Sequence, residues 1–134
     1  MPIKKLNLTL LIGHFAVARL PPASPLPDWF EDGEFTSVTR TGSELSILCR
    51  QQDIPEGVTV QKGFRCLRVE GPLAFTEVGI LNSLAGPLAS AQIPIFVIST
   101  FDTDYLMVPD QKLELALTTL ANTGHVNILA AQDE

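Results

Sequence analysis

Phe-Thr-Glu-Val-Gly-Ile-Leu-Asn-Ser-Leu-Ala-Gly-Pro-Leu-Ala-Ser-Ala-Gln-Ile-Pro-Ile-Phe-Val-Ile-Ser-Thr-Phe-Asp-Thr-Asp-Tyr-Leu-Met-Val, residues 75–108, decides the fold of this chain. Leu81, Leu84, Ala85 and Leu88 recur at i, i+3, i+4 and i+7, one apolar stripe at the helical period. Ala91-Gln92-Ile93-Pro94 ends that stripe, and Ile95-Phe96-Val97-Ile98 follows as a short β-branched and aromatic run. The polar segment Ser99–Thr103 reads as a turn, and Tyr105–Val108 as a second strand. Helix, strand, turn and strand in succession need further strands on both sides to close a sheet.

Those strands are legible on either side. Phe64, Cys66, Leu67 and Val69 mark a strand before the helix, ended by Gly71-Pro72. After Val108, Pro109-Asp110 marks a helix start. Leu113, Ala116, Leu117, Leu120 and Ala121 give it an apolar face, and Asn122 and Gly124 supply stop signals. A closing strand is expected at 125–129. The C-terminal half therefore reads β (64–70), α (76–91), β (94–100), β (104–108), α (111–121), β (125–129), the order of a ferredoxin-like sandwich. Pro87 conflicts with the first helix, since it removes one backbone bond and should kink or split it.

The N-terminal half has strands and hardly any helix. Residues 6–11 and 15–20 read as strands, and 6–17 as a buried strand pair rather than a membrane span or a leader, because His14 and Asn7 interrupt it and no small-residue cleavage site follows. Pro21, Pro22, Pro25 and Pro27 exclude regular structure up to Asp28. Residues 27–30 are expected to make one helical turn that pins Trp29 and Phe30 onto the core. Residues 35–41, Gly42-Ser43 and 44–49 read as a β-hairpin, and 51–57 as a loop. A faint repeat links the halves: Ser37-Val38-Thr39-Arg40-Thr41 followed by Glu44-Leu45 echoes Ile98-Ser99-Thr100-Phe101-Asp102-Thr103 followed by Asp104-Tyr105, and Phe35 and Phe96 lie 61 residues apart. The expected class is α+β with two ferredoxin-like βαββαβ units, 1–62 and 63–134, the first a copy with reduced helices.

Composition narrows the function. With 134 residues and 46% hydrophobic content the chain can bury a core. Fifteen acidic against nine basic residues give a net charge of −6, which argues against a polyanion such as nucleic acid as partner. Small molecules or proteins are the expected partners, with no membrane. Cys49 and Cys66 lack metal or redox spacing and read as buried, reduced thiols of a cytoplasmic protein. His14 and His125 show no metal-ligand spacing, and no nucleophile elbow, phosphate loop or dinucleotide fingerprint occurs. Neither an enzyme nor a cofactor is indicated.

Phe35–Thr41, Glu44–Ile47, Val78–Leu81 and Ser99-Thr100-Phe101-Asp102-Thr103-Asp104-Tyr105 resemble the small bacterial tandem ACT-domain proteins, whose units are similar to the regulatory domain of aspartate kinase and to the cytosolic arginine sensors of the animal TOR pathway. The resemblance runs over about residues 6–124. It implies ACT-type units, a small effector such as an amino acid bound where two units meet, and a protein partner or homo-oligomer that reads the occupancy.

The residues admit a matching chemistry. A helix start at Thr76–Ile80 would offer backbone amides and the positive end of the helix dipole to a carboxylate, and Gly79 would admit a close approach; plain capping by Thr76 with first-turn Glu77 is the alternative. By resemblance, Glu77, Val78, Gly79 and Ile80 match the effector loop and Asp104 matches an acidic ligand contact. A carboxylate at Asp104 could pair with an ammonium or guanidinium, or be a solvated turn acid like Asp102. Ser37 and Val38 match the contribution of the first unit, or are ordinary strand residues. Phe101 walls the pocket or covers the core. Arg40 is an anion contact or an exposed hairpin arginine. The rival function is a structural or protein-interaction module whose pocket has degenerated.

Overall fold

The computed structural model describes residues 5–71 and 79–130. Among them are eight strands and two α-helices: β1 (Leu6–Leu10), β2 (Phe15–Leu20), β3 (Ser37–Arg40), β4 (Leu45–Arg50), β5 (Thr59–Val69), α1 (Ile80–Ser90), β6 (Phe96–Ser99), β7 (Asp104–Pro109), α2 (Leu113–Ala121) and β8 (Val126–Ala130). The chain divides into two compact units, one of Met1–Ile12 with Arg65–Glu134, the other of Gly13–Phe64.

The discontinuous unit has the βαββαβ order read from the sequence, β5-α1-β6-β7-α2-β8. β6 pairs with β7 in antiparallel register, Phe96 opposite Met107 and Ser99 opposite Asp104, and β7 pairs with β5. β1 pairs antiparallel with β5, Leu8 opposite Val69, and parallel with β8, Leu6 opposite Val126. The sequence gives β1 to the first unit by proximity along the chain. Its hydrogen bonds instead tie it to β5 and β8, so residues 6–17 are no strand pair; β2 takes β4 and β5 as neighbours.

Alternation explains why β1 belongs there. Leu6 and Leu8 point to one face and join Leu67 and Val69 of β5, Leu106 and Val108 of β7, and Val126 of β8 in a single apolar cluster. Leu84 and Leu88 of α1 and Leu113, Ala116 and Leu120 of α2 complete it. The stripes that predicted the helices are thus the faces they bury, and each fully buried leucine contributes about 1.5–3 kcal/mol.

α1 begins at Ile80, four residues later than expected, because Gly79 takes a left-handed φ of 84° and serves as its N-cap; the first helical bond runs from the Ser83 N–H to the Gly79 carbonyl (2.9 Å). Pro87 does not split the helix. It lies in the last turn, where its missing N–H removes a single bond, the one to the Ser83 carbonyl. The C-terminus closes as a Schellman motif: the Gln92 N–H donates to the Ala89 carbonyl and the Ile93 N–H to the Leu88 carbonyl, both 2.9 Å. Gln92 stands at φ 61° where glycine is usual, and Ile93 is buried in the same cluster as Leu88. The second helix is a 3-10 turn, Asp110–Lys112, leading into α2 at Leu113.

The continuous unit orders its strands β3-β4-β2-β5. β3 and β4 form the expected hairpin, Ser37 opposite Leu48 and Val38 opposite Ile47. Residues 27–30 make one hydrogen-bonded turn, Phe30 N–H to Pro27 carbonyl at 3.1 Å, and Trp29 and Phe30 pack on the cluster of Ala18, Leu45, Ile47 and Cys49. β5 starts at Thr59, earlier than its apolar residues suggested, with a register shift against β2. Gly63, at φ 87°, sits in that stretch and donates its N–H to the Gln51 side-chain oxygen (2.7 Å) instead of to the ladder.

The faint repeat has a structural counterpart. In each unit a threonine opens the hairpin turn, exchanging its N–H with the carbonyl three residues on and accepting that residue's N–H on its hydroxyl. Thr41 does so with Glu44 (2.9 and 3.2 Å), and Thr100 with Thr103 (2.8 and 3.2 Å). Equivalent residues are therefore Thr41 and Thr100, which shifts the sequence alignment that matched Thr41 to Thr103.

Candidate functional site

Three features of the discontinuous unit bear on binding: the start of α1, the β6–β7 turn, and the end of β5. At the start of α1 the N-cap residue is a glycine and has no side chain to cap the helix, so among the described residues its first-turn amides have no capping side chain. A Cβ placed on Gly79 would meet nothing within 4 Å, so the backbone is open there. Gly79 holds the N-cap position, and Thr76, the capping residue of the alternative reading, lies outside the described residues. Glu77 and Val78 lie outside the described residues. Gly79 is exposed, and Ile80 packs partly against the cluster beneath.

On the β6–β7 hairpin, Ser99 and Asp104 face each other in register, and the Ser99 hydroxyl donates to Asp104 Oδ1 at 2.6 Å. That bond orients a half-buried carboxylate. Phe101, between them at the turn, is 83% exposed, so it does not cover the core. An aromatic ring held in water at a tight turn is surface that a ligand or partner can desolvate.

The turn is fastened to β5. The Thr103 hydroxyl donates to the Val69 carbonyl at 2.6 Å. Beside this clamp lies a cleft of about 380 Å³, lined by Arg68, Glu70 and Gly71 from the β5 end and by Thr100, Asp102 and Tyr105 from the turn. Glu70 accepts from the Thr9 hydroxyl (2.8 Å) and from Arg68 Nε (2.9 Å), and these bonds, with the Arg68 charge, hold its carboxyl below the usual range against a smaller opposing effect of burial. Glu70 and Thr103 were not singled out in the sequence. Glu70 carries no motif and Thr103 stood only as one member of the Ser99–Tyr105 motif; both matter here because β5 and β7 are neighbours. Asp102, read as a solvated turn acid, is exposed and also lines the cleft.

Of the predicted residues, Gly79 and Ile80 share the α1 start, and Phe101 and Asp104 share the β6–β7 turn. Ser37 and Val38 lie on β3, in the continuous unit, with Val38 42% exposed. Arg40 is the exposed hairpin arginine of the two readings: its guanidinium donates to the Pro22 carbonyl. Cys49 and Cys66 are buried free thiols; burial, then the Asp53 charge, pushes Cys49 up to about 11. Among the described residues no group of three or more His, Cys, Asp and Glu could hold a metal, and no helix is long and apolar enough to cross a membrane.

The ACT domain family model matches residues 59–122, and a second model, of an N-terminal domain, matches 13–57. A crystal structure of an Agobacterium tumefaciens protein is 40% identical, covers 98% of both chains and superposes with a TM-score of 0.90. The regulatory subunit of aspartate kinase from Thermus thermophilus, at 12% identity, shares the fold over 86% of this chain and 95% of its own with a TM-score of 0.62. The human cytosolic arginine sensor for mTORC1 subunit 1 is 41% identical over 58 residues, 42% of this chain but only 18% of that protein's length. Residues 59–122 are thus ACT-like, the fold is that of the aspartate kinase regulatory subunit, and the chain belongs to the same family as the Agobacterium tumefaciens protein.

Proposed function

We propose that the chain is a non-catalytic regulatory module of the cytoplasm that binds an amino acid or a similar small effector where two ACT-type units meet. The ligand carboxylate takes the open amides at Gly79 and Ile80, with Glu77 and Val78 of the same loop. Asp104 takes the ammonium or guanidinium, Phe101 shields the ligand from water, and Ser37 and Val38 contribute from β3. A protein partner or a second copy reads the occupancy. Nothing in the reading calls for a cofactor.

The observation that carries this is the start of α1. A helix N-terminus whose N-cap is a left-handed glycine, with no side chain of its own to cap it, offers oriented donors to an anion. The family is regulatory, and one relative carries the name of an arginine sensor. Thermal shift against the twenty amino acids tests it. A ligand at 100 times its Kd adds about 2.7 kcal/mol to stability, and Asp104→Ala should abolish the response to a cationic ligand while leaving the unliganded melting temperature within about 2 °C. A full response in Asp104→Ala would remove that residue from the site.

The exposed Phe101 favours a second reading, an interaction module that docks a protein through this turn. Phe101→Ala would then abolish partner capture by a protein that shows no amino-acid response.

A further inference from the structure

A second cleft among the described residues is larger than the one beside the β6–β7 turn. It has a volume of about 560 Å³, within the range of small-molecule pockets, and lies wholly among residues 13–64. Its frame is held by backbone and amide bonds. The Gln51 N–H donates to the His14 carbonyl (3.0 Å), the Ile54 N–H to the Gln51 carbonyl (3.2 Å), and the Gln51 side-chain oxygen takes the Gly63 N–H (2.7 Å). That last bond spends the oxygen and leaves the Gln51 amide nitrogen as a donor. Gly57, at φ 91° with open space where a Cβ would stand, presents bare backbone at the rim.

The lining sorts into three chemistries. Ile54 and Val58 are half-buried, packed below on the cluster of Ala18, Leu45, Ile47 and Cys49, and their remaining surface forms an apolar wall. Lys62 supplies one positive charge and Glu56 one negative charge. Neither enters an ion pair among the described residues. A half-open cleft with an apolar wall, flanked by one cation and one anion that form no ion pair among the described residues, fits a ligand that carries both charges and an aliphatic group.

We infer that this cleft is a second small-molecule site, distinct from the start of α1, and that it takes a zwitterion with a branched aliphatic side chain, its carboxylate at Lys62 and its ammonium at Glu56. The inference stands apart from the reading of the α1 site, and one experiment separates the two. Amide chemical shifts of the full chain are followed during titration with L-leucine, with 4-methylpentanoate, which lacks the ammonium, and with 3-methylbutylamine, which lacks the carboxylate. Leucine is expected to shift Gly57 and Gly63 in a saturable way, while Gly79 and Ile80 report the other site independently. Each truncated probe, and each of Lys62→Ala and Glu56→Gln, should weaken the response at Gly57 about tenfold or more, the worth of one charge-assisted contact. Both side chains are exposed, so the variants should keep the wild-type spectrum elsewhere. Absence of any leucine shift at Gly57 and Gly63 overturns the inference. Equal binding of either truncated probe, or unchanged affinity in either variant, overturns the assignment of a zwitterion.

Discussion

Replacing Gln92 by glycine should stabilise the protein, a prediction that sets two opposed effects against each other. Gln92 holds the left-handed position of the Schellman motif that ends α1, at φ 61°. An L-residue there pays about 1–2 kcal/mol for the approach of its Cβ to the following carbonyl. Glycine removes that cost but gains freedom in the unfolded chain, which takes back about 0.4–1 kcal/mol. The Gln92 side chain is exposed, so little packing is lost. The balance is a gain of about 0.5–1 kcal/mol, or a melting temperature about 2–4 °C higher for a chain of this size. Urea denaturation followed by far-ultraviolet circular dichroism measures it, with Gln92→Ala as the control. Alanine keeps the Cβ and should stay within about 0.5 kcal/mol of wild type. Gln92→Gly no more stable than wild type, or Gln92→Ala equally stabilised, would refute the reasoning.

Gly79→Ala should act in the opposite sense, costing about 1 kcal/mol because φ 84° disfavours a side chain even though space is open, and the same urea titration reads it. Glu70 gives a pH dependence. Its folded carboxyl titrates below its unfolded value, so its contribution is complete above about pH 4.5 and is lost as pH falls through the folded value. The stability difference between wild type and Glu70→Gln, measured from pH 7 to pH 3, should therefore shrink on acidification. Leu84→Ala, in the centre of the larger cluster, should cost about 2–5 kcal/mol. Cys49 and Cys66 should resist a thiol reagent at pH 8 in the folded protein and react at once in urea, since both are buried and Cys49 is pushed up to about 11.

Local periodicity revealed what depends on local periodicity. Leu84 and Leu88, and Leu113, Ala116 and Leu120, announced the helices and their buried faces, because a stripe at 3.6 residues has few other uses. The hairpins around Thr41–Glu44 and Thr100–Thr103 were legible from their turn residues. The extent of β5 was not, since the loose alternation of residues 58–69 breaks at Lys62 and Gly63, where the register shifts, and the strand is continued on the far side by pairing of Thr59, Val60 and Gln61 with β2. The place of β1 was hidden for a similar reason: nothing in Leu6–Leu10 says that its neighbours are β5 and β8, more than fifty residues away. The start of α1 was placed too early because the apolar stripe does not mark where the first turn begins, whereas a left-handed glycine at the N-cap fixes it. At the candidate site, Asp104 was singled out through its motif, but the Ser99 bond that orients it, and the Thr103 clamp onto Val69, exist only once the strands are side by side.

The most direct test of effector binding is isothermal titration of protein that has been unfolded, dialysed and refolded to strip any carried ligand. With each of the twenty amino acids in the syringe, at least one should give a saturable heat that is lost in Asp104→Ala or Gly79→Ala. Stripped, correctly refolded protein that gives no saturable heat with any of them would contradict the account.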